Sequence, residues 1–137
     1  MPLDAALVAE THSWLVKAEK DLRAAQHGLT ASPALLEDAA FHCQQAVEKT
    51  LKAFLTWHGR PFRKTHNLIE LGMEVASLDR ALEPLLRSAA PLTEYAWKFR
   101  YPGDPDEPNP GEASAALALA KEVFAAVTKR LPENVMP

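Results

Sequence analysis

Apolar residues recur at a helical period through most of the chain. Between Ala5 and about His27 the stripe is Leu7, Thr11, Trp14, Leu15, Ala18, Leu22 and Ala25, with Lys17, Lys20 and Arg23 largely outside it. Gly28 follows as the expected stop, because helices commonly end on a residue that tolerates the left-handed conformation. Ser32 before Pro33 has the form of an N-cap followed by a first-turn proline. A second helix is therefore expected through Leu36, Ala40, Cys43, Val47, Leu51, Phe54 and Leu55, closed by Gly59 and Pro61.

Asn67 and Glu70 have the spacing of a capping box, opening a short third helix whose apolar side is Leu68, Leu71, Val75 and Leu78. In a fourth, Leu85, Ala89, Leu92, Ala96 and Phe99 keep the period. Pro91 has no amide proton for the hydrogen-bond ladder, which predicts a kink or break near Ala90. Residues 102–111, PGDPDEPNPG, hold four prolines and three acids and are expected to form an extended, solvated loop. A last helix is expected from near Glu112, with Ala116, Ala120, Val123, Val127 and Leu131 on one face. Lys129 and Arg130 stand near its end, where cations suit the helix dipole. The fold class that follows is all-α: an up-and-down antiparallel bundle of four main helices plus a short extra one, in a single domain over residues 1–137.

Abundant Ala and Leu and scarce Gly agree with helices over strands. The net charge of −3 provides no global basic field. Phosphate binding would have to come from a local cluster, and bulk non-specific DNA coating is disfavoured. Cys43 is the only cysteine, so no intrachain disulfide forms, and its place in an apolar run suits a buried thiol rather than a nucleophile. No apolar stretch is long enough to span a bilayer and no leader pattern opens the chain, so a cytoplasmic protein without membrane contact is expected. There is no GxGxxG, P-loop, CxxC pair or Ser elbow. Asp38 and His42, and His66 and Glu70, are four apart and each offer two ligands from one helix face, but the Glu-x-x-His motifs of diiron bundles are missing. Neither metal nor cofactor is expected.

His58, Arg60, Arg63, Lys64 and His66 form the densest positive cluster, just ahead of the third helix. Free backbone N–H groups and the helix dipole favour phosphate at such a place, although a solvated basic linker explains the cluster equally well. Arg100, Tyr101 and Pro102 end the fourth helix. Arg100 either pairs with Asp104, Asp106 or a buried carboxylate such as Asp21, or meets a nucleotide phosphate. Asp21 follows Trp14 and Ala18 at helical spacing; near the apolar face its carboxylate needs a partner, for which Arg100 and Lys49 are the candidates. Gln45, Glu48, Lys49 and Lys52 make a polar stripe beside His42 that faces either a nucleotide or water. Trp14, Trp57, Trp97, Tyr95 and Tyr101 have the chemistry to stack on bases, but their helical spacing fits core or interface better.

The second helix reads AAFHCQQAVEKTLKAFLTWHG from Ala39 to Gly59; with it come WLVKAEKDLRAA from Trp14, THNLIEL from Thr65 and FRYP from Phe99. In this order the segments cover most of the chain and resemble the HEPN family, the higher eukaryotes and prokaryotes nucleotide-binding domain, of the nucleotidyltransferase-associated type. The resemblance implies a helical bundle, often a homodimer, tied to nucleotide or RNA chemistry. Many members are encoded beside a separate minimal nucleotidyltransferase in a two-gene, toxin-antitoxin-like module. Some are metal-independent ribonucleases that use an Arg and a His a few residues apart at a helix start. Arg60 and His66 have five residues between them, but they precede the third helix, whereas that motif belongs to a later junction nearer Arg100, which no His follows. Three functions fit: a nucleotide- or RNA-binding module acting with a nucleotidyltransferase, a ribonuclease, and a helical dimerisation or adaptor domain. The candidate nucleotide or RNA contacts are Lys49, Lys52, Arg60, Arg63, Lys64, His66, Arg100 and Tyr101, with no catalytic residue assigned.

Overall fold

The computed structural model describes residues 4–103 and 107–137. They form α1 (Ala5–Thr30), α2 (Leu36–Trp57), α3 (Leu68–Leu78), α4 (Glu83–Ala89) and α5 (Pro110–Thr128), with 3₁₀ turns at Arg80–Leu82, Ala90–Ala96 and Glu133–Val135. No strand occurs among the described residues. Short polar side chains set three of the starts by accepting from amides that have no partner inside the helix. Asp4 accepts from Ala6 to open α1, Asn67 from Ile69 and Glu70 to open α3, and Asn109 from Glu112 to open α5.

α2 is the middle of an antiparallel bundle. α1 runs along it, α5 packs on it from another side, α3 and the Ala90–Ala96 turn close a third, and α4 bridges α3 and α5. The core joins Leu15 of α1, Val47, Leu51, Phe54 and Leu55 of α2, Leu71 and Val75 of α3, and Val123 and Val127 of α5. α2 also buries five polar residues, Gln44, Glu48, Thr50, Lys52 and Thr56. Cys43 lies in the same core, where burial pushes its thiol up to about 12, so it is an inert packing group.

The structure corrects several boundaries. α1 does not stop at Gly28 but continues to Thr30. A Cβ at Gly28 would stand 3.0 Å from the Leu35 carbonyl oxygen and 3.2 Å from the Ala39 Cβ, so this glycine serves the close approach of α1 to the start of α2. Ser32 caps no helix: the Leu35 amide bonds back to the Gly28 carbonyl at 2.8 Å, and α2 begins only at Leu36. The capping box at α3 is half made, since Asn67 caps but the Glu70 carboxylate turns to Arg63. The expected break near Ala90 is the switch from α4 into the 3₁₀ turn. α5 starts at Pro110, two residues before Glu112 and inside the expected loop, whose residues 104–106 lie outside the described residues. Of the aromatics expected in core or interface, Tyr95 is buried in the core, and Trp97 and Tyr101 are exposed in the single copy.

Candidate functional site

α2 is least covered at Phe41, His42, Gln45 and Lys49, which are partly exposed, and beside them its buried polar residues bond to the segment 58–67. Glu48 is the hub. Its side chain is 5% exposed and accepts from the Lys52 ammonium at 2.9 Å, from His66 Nδ1 at 2.7 Å and from Gln44 Nε2 at 3.1 Å. Burial alone would push the Glu48 carboxyl up; the hydrogen bonds from Lys52, His66 and Gln44, with the Lys52 charge, outweigh it and hold the group below the ordinary carboxylate value. The carboxylate is therefore ionised near neutrality and can only accept, which places the imidazole proton on Nδ1.

His66 sits in a connecting segment yet is held at two points by α2. Its ring bonds to Glu48, and its carbonyl accepts from Gln44 Nε2 at 3.0 Å. The following amide, Asn67 N–H, is taken by the Thr65 hydroxyl at 3.0 Å. The imidazole is 66% exposed, and among the described residues nothing bonds to Nε2. Beneath it, the Lys52 ammonium lies 5.5 Å from the centre of the Trp14 ring and 5.7 Å from that of Phe62, and the two rings meet edge to face. The result is a fixed imidazole presenting one free nitrogen beside an aromatic-walled cation.

A second group of the same residue types lies further toward the start of α2. Asp21 of α1, expected to need a partner, has two: the Lys49 ammonium at 2.6 Å and His42 Nδ1 at 2.8 Å. Lys49 is thus one of the two partners the sequence suggests, and Arg100 is not. Instead the Arg100 guanidinium stacks on the Phe41 ring at 3.8 Å and stands 4.0 Å from Asp38. Asp104 and Asp106, its other suggested partners, lie outside the described residues.

The eight candidate contacts do not form one cluster. Lys49 and Lys52 line the stripe, and His66 stands over Lys52's end of it. Arg60 bonds to Glu74 at 3.1 Å, and Arg63 holds Glu70 with both carboxylate oxygens at 3.0 Å, so α3 neutralises much of the basic segment. Lys64 is exposed beside them. Arg100 and the exposed Tyr101 are at the far end: Asp38 and Lys52 are fourteen residues apart on α2, or roughly 21 Å of helix, too far for one phosphate. Sequence reasoning names Glu48 only as one member of the polar stripe and leaves out Gln44 and Phe62 as site residues. For Glu48 the signal is there, since Gln44, Glu48 and Lys52 repeat every four residues in an otherwise apolar helix.

Three comparisons bear on this arrangement. The HEPN domain family matches residues 11–131. No curated protein matches the chain. Among solved structures, TT1696 from Thermus thermophilus is similar, with 31% identity and a TM-score of 0.73 over 89% of this chain and 98% of that one. The family match begins at Thr11 and ends at Leu131, so it takes in α1 from its first turns, all of α2 and α3, and the segment that carries His66.

Proposed function

Because the chain belongs to the HEPN domain family, whose members are tied to nucleotides and RNA, we propose that it binds a nucleotide or RNA at the His66 end of the α2 stripe and acts with a separate minimal nucleotidyltransferase in a two-gene, toxin-antitoxin-like module. The carrying observation is the imidazole that Glu48 fixes above Lys52, with Trp14 and Phe62 beside it. A phosphate takes the His66 Nε2 proton when the ring is charged and gains from the exposed Lys64 close by in the chain; a base has aromatic faces within reach. Titration calorimetry with mononucleotides and a short single-stranded RNA tests this. Binding that weakens about tenfold or more in His66→Ala supports it; no heat with any of them refutes it. The partner half requires a minimal nucleotidyltransferase frame next to the gene and is tested by co-expressing the two, where co-elution is the expected result and separate elution refutes it.

The same geometry favours a second reading, a metal-independent ribonuclease. Neutral Nε2 would take the 2′-hydroxyl proton as that oxygen attacks phosphorus; the bond to the 5′ oxygen breaks, and that oxygen takes a proton from water, leaving a 2′,3′-cyclic phosphate. Such chemistry needs a cation on the phosphate, and Arg60 and Arg63 are turned to Glu74 and Glu70. Cleavage of RNA by wild-type protein but not by His66→Ala would select this reading over binding alone.

A further inference from the structure

α3 holds the basic segment ahead of it in check. Glu70 and Glu74 stand four apart on one face of the helix, and each takes one arginine of the segment, Arg63 and Arg60. A carboxylate on a guanidinium occupies the donors that a phosphate would use. α3 therefore carries its own competitor for any anion that reaches this segment.

The two pairs are not equally committed. The Arg60 side chain is 40% exposed, bonds to Glu74 at 3.1 Å with the Ser77 hydroxyl at 3.5 Å, and lies six residues from His66. Glu74 is past the first turn of α3, where backbone amides bond within the helix and offer it no second partner. Arg63 is 72% exposed, and among the described residues its side chain bonds only to Glu70, with Nε 3.0 Å from both carboxylate oxygens. Its position is three residues from His66, at most about 11 Å of extended chain, so the guanidinium and His66 Nε2 can meet on one phosphate. An exposed ion pair is weak. A phosphate already bound at His66 fits the same guanidinium fork and competes as a neighbour rather than from solution.

Glu70 also has another place to go. It is the third residue of α3, at capping-box spacing from Asn67. The helix start is satisfied without its carboxylate: Ile69 and Glu70 N–H donate to the Asn67 side chain, Leu68 N–H to the Thr93 hydroxyl and Asn67 N–H to the Thr65 hydroxyl. The last of these is the bond that a returning Glu70 replaces, putting a carboxylate instead of a neutral hydroxyl at the positive end of the helix. Both placements of Glu70 are favourable, which is what a two-state element requires.

We propose that Glu70 is a built-in competitor at the anion site: a phosphate group held by His66 draws Arg63 off Glu70, and Glu70 turns back to the Asn67 amide and closes the capping box. Resting on the phosphate-binding role proposed for His66 above, this makes Arg63 the guanidinium of the site. Glu70 is the positioning residue that restrains it until the anion arrives.

The test is calorimetric titration of the full chain with inorganic phosphate and with a short single-stranded RNA. Arg63→Ala, at an exposed position, should weaken binding about tenfold. Glu70→Gln removes the competing charge but keeps a side chain able to close the capping box, and should tighten binding about two- to fivefold, the strength of an exposed pair. Added to Arg63→Ala, the same change should do nothing, and Glu74→Gln should tighten binding less than Glu70→Gln does. The Asn67 amide resonance in NMR should shift on saturation with phosphate, and in Arg63→Ala should already lie near that shifted position without ligand. Tightening that persists in Arg63→Ala, or that Glu74→Gln matches, is a long-range charge effect and overturns the switch; so does an Asn67 resonance that phosphate does not move. If the wild type binds neither probe, the His66 function itself falls, and the switch with it. If the wild type binds, His66→Ala does not and Arg63→Ala binds normally, the switch alone is overturned.

Discussion

Asp21, His42 and Lys49 repeat the side-chain types of Glu48, His66 and Lys52 with nearly the same contacts, 2.8 and 2.6 Å in the first group and 2.7 and 2.9 Å in the second. Their surroundings make them different devices. Asp21 reaches from α1 to two side chains of α2, and its histidine is only 33% exposed, so the group joins two helices. Glu48 reaches from α2 to its own Lys52 and to a histidine on a connecting segment, and that imidazole is 66% exposed. A carboxylate, a histidine and a lysine in contact therefore fix no role. The member that ends at the surface decides whether the group clasps helices or presents a nitrogen.

The largest expected difference is in stability. Glu48→Ala leaves the Lys52 ammonium buried without its counter-charge, and breaking a buried pair in this way costs about 3–5 kcal/mol. Asp21→Ala leaves Lys49 and His42, both nearer the surface and able to turn to water, so about 1–2 kcal/mol is expected. Urea unfolding of both variants checks the order. Equal losses would mean that the two groups are equally committed to holding the bundle.

A second difference follows from pH. The folded Glu48 titrates below its ordinary value, so the unfolded chain binds the proton more readily. Its contribution is fully present above the ordinary carboxylate range and is lost as pH falls through that range toward the folded value. Glu48→Gln removes this contribution, so its unfolding free energy should change less than that of wild type between neutral and acid pH. A parallel pair of curves would break the assignment of Glu48 as the hub.

The histidines separate the roles at smaller cost. His42→Ala is expected to lower stability by about 1 kcal/mol, the value of one hydrogen bond to a charged group near the surface. His66→Ala is expected to cost less, because most of its ring is already in water, and to lose ligand binding instead. Thermal unfolding and calorimetry on the two variants give the crossed pattern if clasp and site are distinct.

How much of this the sequence carries depends on the range of the contact. The helices and the core face of α2 follow from period alone, because Val47, Leu51, Phe54 and Leu55 answer to one local rule. Gly28 misleads, since a glycine that lets two helices touch and a glycine that stops a helix look alike in sequence. The basic run from Arg60 to His66 reads as a strong positive patch because Glu70 and Glu74, which take its arginines, belong by period to the next helix. The bond from Glu48 to His66 spans eighteen residues and a change of direction, and no pattern along the chain specifies it. Asp21 is the intermediate case: its burial is legible from the helical stripe, and one of its two partners with it.

The smallest effect tests whether the far end of the stripe belongs with the clasp. Arg100 lies flat on Phe41, at the Asp21 end of α2, and is only 4.0 Å from Asp38, so its anchor is the ring more than the carboxylate. Lysine keeps the charge but loses the planar stack, and a half-exposed stack of this kind is worth about 0.5–1 kcal/mol. Arg100→Lys should therefore lower stability by that amount, and Phe41→Leu should remove the difference between the two side chains at position 100, a coupling that a double-mutant cycle reads directly. Nucleotide or RNA binding that falls tenfold in Arg100→Lys would instead extend the site along the whole stripe and erase the distinction between its two ends.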